Sequence, residues 1–197
     1  MRDEGSRLAA VIAEIDAANA RDPNQIEIDG RVEPAALVYG RRMSATLARM
    51  AGDASEHLRI AARGQHIERW TSPRKSYPDG RIGYLAWRND LKEFHARRVG
   101  EIMGSAGYDA DDIARVRSLL RKEQLKSDAE AQMLEDVACV VFIEHYLGDF
   151  MEQADQAKLA GILAKTWKKM SPLGHAHALK LSLSPPVAAA LQAVLSR

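Results

Sequence analysis

The chain is nearly without cysteine. Only Cys139 occurs in 197 residues, and it sits inside an apolar run. A disulfide framework is excluded on that ground, and a reducing, cytoplasmic location is expected. An excess of charge of one sign is missing too: 28 Lys and Arg face 27 Asp and Glu, for a formal net charge of +1. No global field draws the chain to nucleic acid or to a membrane surface, although local basic stripes stay open. Long apolar runs are also lacking. The longest, residues 137–143, is far too short to span a bilayer. The first residues, MRDEGSRLAAV, are broken by charges, unlike a signal or transit peptide. Strand-like alternation is scarce. QIEIDGRV over residues 25–32 reads as a loop, because no other segment looks like a strand partner for it.

What the chain does have is helical periodicity. Leu8, Val11, Ile12 and Ile15 mark a first helix, closed by Asp22-Pro23-Asn24. Glu33-Pro34 opens a second, which runs to about residue 50. Further helices are expected over residues 55–70, 81–103 and 113–122, the last preceded by Asp109, Asp111 and Asp112 where the macrodipole favours negative charge. Ser127 with Glu130 reads as a capping box for a helix reaching about residue 152. Another follows over residues 156–170 and stops at Pro172, and a short one opens at Ser184-Pro185-Pro186. The expectation is an all-α, single-domain helical bundle over residues 1–197. Its core spans about 33–171, with the N-terminal helix and the short C-terminal helices packed on it.

Candidate chemistry gathers in residues 61–95, AARGQHIERWTSPRKSYPDGRIGYLAWRNDLKEFH. They hold two histidines and two of the three tryptophans around a Pro/Gly-rich loop. On the 55–70 pattern, Arg59, Arg63, His66 and Trp70 share a stripe beside the buried arc. On the 81–103 pattern, Tyr84, Trp87, Leu91, His95, Arg98 and Ile102 share one face, so His95 and Arg98 need partners if buried. The loop offers Arg74, Lys75 and Tyr77 as donors suited to phosphate or carboxylate. Asp136 lies on the apolar face of its helix, among Met133, Val140, Ile143 and Leu147. A carboxylate there is costly unless paired, and the expected partners are a cation, His66, His95 or Arg98. His175 and His177, two apart on a helix, do not share a face and are discounted as a metal pair.

The runs AARGQHIERW, PRKSYP, RIGYLAWRNDLKEFH, GYD, LEDVACVVFIEHY and KTWKKMS resemble the domain-of-unknown-function family 4202 over nearly the whole chain. A fainter likeness is to the all-helical HD phosphohydrolase superfamily, in which histidines and aspartates hold a divalent metal. In that likeness Tyr39 stands where the first His would be, and Gln65-His66 where the His-Asp doublet would be. Asp136 in LEDV matches the last Asp, and His95 an accessory His. The resemblance implies an HD-like core and a metal-dependent phosphohydrolase. His66, His95 and Asp136 would be catalytic and would ligate zinc, manganese, iron or magnesium. Arg59, Arg63, Arg69, Arg74, Lys75, Tyr77 and Arg98 would hold the phosphate of a nucleotide or other phosphorylated small molecule. The alternative is a degenerate, non-catalytic HD-like module that binds a phosphorylated ligand, RNA or a protein partner. Oligomeric state is left open.

Overall fold

The computed structural model describes residues 4–153 and 156–195. Among them the chain is helical except for one small hairpin, and no helix is long and apolar enough to cross a membrane. The fold is all-α, as the periodicity implied. It is arranged as two compact units, Met1–Leu125 and Lys126–Arg197.

The first unit begins with α1 (Glu4–Asn19) and then the hairpin β1 (Gln25–Ile28) and β2 (Arg31–Pro34). The strands are antiparallel with Ile28 opposite Arg31. This corrects the loop expected over residues 25–32. The partner of QIEI is the segment right after it, and Asp29-Gly30 is the two-residue turn, with φ of 51° and 73°. Pro34 ends β2, and α2 starts one residue later (Ala35–Met50). α3 covers Glu56–Gly64 and is capped by Ser55, whose hydroxyl accepts from the Leu58 amide. Two 3-10 turns, Arg69–Thr71 and Arg74–Ser76, lead into the long α4 (Gly80–Ser105), and α5 (Ala110–Arg121) follows, capped by Asp109. Val11, Ile15, Met43, Ile60, Ile67, Val99, Met103 and Val116 form the fully buried core of this unit.

The expected helix over residues 55–70 therefore stops at Gly64. That glycine is pressed against α4: a Cβ there would stand 2.5 Å from Val99 Cγ2. Beyond it the chain turns, and Glu68 adopts a left-handed conformation at φ 48°. The Glu68 amide donates to Asn19 Oδ1 at 3.0 Å, and its carboxylate pairs with Arg21 and Arg98. The turn is thus tied both to the end of α1 and to α4.

The second unit holds α6 (Ala129–His145), α7 (Leu147–Gln153), α8 (Gln156–Lys169), α9 (Pro172–Ala178) and α10 (Pro185–Leu195). Two boundaries differ from expectation. Asp128, not Ser127, caps α6, accepting from the Glu130 and Ala131 amides, and Tyr146 breaks the helix so that α7 is separate. Pro172 both follows α8 and opens α9, with Ser171 as its cap. Leu134, Val137 and Val141 on α6 are fully buried, as a central helix requires.

Candidate ligand site around His66 and His95

The turn after α3 delivers His66, and the apolar face of α4 delivers His95. Their ring centroids are 5.8 Å apart. Tyr39 of α2 stacks on the other side of His66 at 4.1 Å, nearly parallel. Arg69 follows from the 3-10 turn. Its guanidinium lies 4.7 Å from the Trp87 ring centroid and donates from Nη1 toward His66 Nε2 at 3.4 Å. A guanidinium only donates, so His66 Nε2 is the acceptor and its proton sits on Nδ1. Trp87 is held in place by its indole N–H, which donates to the Ser72 carbonyl at 2.8 Å. Arg88, one residue on, donates to Tyr84 Oη.

Both imidazoles are neutral at ordinary pH. Burial, reinforced by Arg69, pushes His95 down to about 3. His66 is pushed well below its usual range, first by burial and then by the nearby positive charge of Arg69. Burial also lowers Arg69. Among the described residues, Arg69 and Arg88 form no ion pair; their contacts are to aromatic rings, a histidine and a phenol. His95 Nε2 is buried without a hydrogen-bond partner, as is Oε1 of Gln65, the residue before His66. The site is an aromatic corner whose two arginines form no ion pair among the described residues, with an unused ring nitrogen on His95.

The other residues singled out in the sequence are engaged elsewhere. Arg63 forms a bidentate pair with Asp16, at 2.6 and 2.5 Å. Arg98 is bound by Glu68, which raises its pKa. Arg59 donates to the Gly52 carbonyl, and Arg74 to the carbonyls of Tyr77 and Gly80. Tyr77 donates to Asp90, and Lys75 points into solvent. Asp136 is 1% exposed, and its protein partners are neither a histidine nor an arginine. Its carboxylate accepts from Gln132 Nε2 at 2.9 Å, the Ser171 amide at 2.8 Å and the Ser171 hydroxyl. It anchors the start of α9 inside the second unit. Among the described residues, no group of three or more His, Cys, Asp or Glu side chains is placed to hold a metal ion.

Arg88 is the member of the cluster that residue patterns did not single out as a donor. Trp87 was visible on the α4 stripe, and its support of Arg69 depends on where the turn ends. The same turn is part of a longer match: residues 9–191 fit the family described as a domain of unknown function, DUF4202. The chain belongs to DUF4202. That description carries no activity with it. No curated protein and no solved structure matches the chain.

Proposed function

We propose that this DUF4202 chain is a non-catalytic, cytoplasmic helical module that binds a phosphorylated small molecule at the His66–His95–Arg69 cluster. One observation carries the reading: Arg69 is partly buried with no carboxylate partner among the described residues. Taking an unpaired charge even partly out of water is costly. The Trp87 face offsets only about 0.5–2 kcal/mol of that. A ligand oxyanion would supply the missing partner, and a planar guanidinium suits phosphate in particular. His95 Nε2, as the protonated ring nitrogen, would supply a further hydrogen bond to the ligand.

An HD-like arrangement of the core belongs to the same proposal. Its metal-dependent, hydrolytic form would need a ligand set that the described residues do not assemble. Thermal melting against a panel of phosphomonoesters and nucleotides tests the binding reading. Wild type should be stabilised by at least one compound, and Arg69→Ala should not respond to it. A panel that leaves wild type unmoved, or shifts both proteins equally, contradicts the proposal. Retention of RNA with steep salt dependence would support the RNA-binding alternative instead.

A further inference from the structure

A second cluster of guanidiniums lies on the other side of α4. Arg97, Arg117 and Arg121 line a groove of about 510 Å³ between α4 and α5, together with Asp90, Glu93 and Phe94. That volume is in the ordinary range of small-molecule sites. We propose that this groove is an oxyanion site, built around Arg117 and suited to the diphosphate group of a small molecule.

Arg117 is seated in an unusual way. It packs against α4 at Gly100, where a Cβ would stand 2.5 Å from Arg117 Nε and 2.8 Å from Nη2. Only glycine leaves that room. The Nε is buried without a hydrogen-bond partner, and Arg117 forms no ion pair among the described residues. The acids of the groove are already in use. Glu93 accepts from Arg121 Nε at 2.9 Å, and Asp90 accepts from the Tyr77 hydroxyl at 2.9 Å. Arg97 makes only an exposed 3.4 Å contact with Glu101 and lies 5.6 Å from the Phe94 ring centroid. An exposed pair of that kind exchanges readily for a better acceptor. Arg121 is held by Glu93, which leaves Arg97 and Arg117 as the guanidiniums open to a ligand, and the separated oxyanions of a diphosphate can engage both forks. Arg117 is the fixed element: its position is set by packing, so little order is lost when an oxyanion arrives.

Calorimetric titration of the full chain with inorganic pyrophosphate at low ionic strength tests this. Wild type should bind, and Arg117→Ala should lose affinity about tenfold or more, as removal of a bidentate charge-assisted pair implies. Arg117→Lys should weaken binding too, because it keeps the charge and loses the fork. Gly100→Ala should do the same by displacing the guanidinium with its charge intact. Circular dichroism checks each fold; should Arg117→Ala fail to fold, the other two variants decide. Loss confined to the Arg117 and Gly100 variants separates the groove from the histidine cluster. Absence of binding by wild type overturns the proposal. So does wild-type affinity in all three groove variants.

Discussion

His95 sits on the apolar stripe of α4 at 4% exposure and titrates at about 3. An unfolded histidine titrates near 6.5. The folded pKa is depressed, so the unfolded chain binds the proton more readily between these values. Stability is complete above about pH 6.5 and falls as the pH drops. From pH 7 to 5 the loss from His95 alone is about 2 kcal/mol, and His66, shifted the same way, adds to it. Urea melts at the two pH values should show this decline, and His95→Leu should flatten it. A slope unchanged in the variant would mean that His95 is not the buried neutral group described here. Asp136 gives a second residue-scale prediction. Asp136→Ala strands the buried Ser171 amide and hydroxyl and should cost about 2–4 kcal/mol. Asp136→Asn keeps one acceptor and should cost about 1 kcal/mol. Melting temperatures of the two variants check the order. The anomaly of this carboxylate was legible from α6 alone, since Asp136 falls on an apolar face. Its partner was not, because Ser171 is 35 residues away and acts through the cap of another helix.

The elements were legible to different degrees, for local reasons. α4 and α5 follow from period and caps, and their bounds fall close to expectation. The loop expected over residues 25–32 rested on the lack of another strand-like segment, whereas Asp29-Gly30 joins two short strands inside that same stretch. The end of α3 was missed because apolar spacing continues through Ile67, which is fully buried. What stops the helix is tertiary: Gly64 against Val99, and Asn19 holding the Glu68 amide. His66 and Arg69 consequently project from a turn and not from a helix face. Gly64→Ala tests this joint. The added methyl group must displace Val99 and should cost about 1–3 kcal/mol, with a lower melting temperature. An unchanged melting temperature would show that α3 and α4 are not in close contact there.

At the scale of the molecule, composition excluded disulfides and membrane-spanning runs, and periodicity fixed the helical class. It did not separate Met1–Leu125 from Lys126–Arg197, since that division depends on which helices touch. The residues between α5 and α6 form turns, with Lys122 and Gln124 in left-handed conformations. Brief trypsin treatment should therefore cut first at Lys122 or Lys126, as mass spectrometry of the fragments would show; first cuts inside α4 would contradict the division. The central claim is that the histidine cluster is neutral, positively surrounded and open to an oxyanion. Nitrogen-15 NMR of the two imidazoles, at pH 5 and with increasing concentrations of a phosphomonoester, tests it most directly. The account predicts neutral rings at pH 5, His66 carrying its proton on Nδ1, and a His95 Nε2 resonance that moves on titration and stays still in Arg69→Ala. Imidazolium signals from both rings at pH 5, or a His95 resonance indifferent to the ligand, would contradict it.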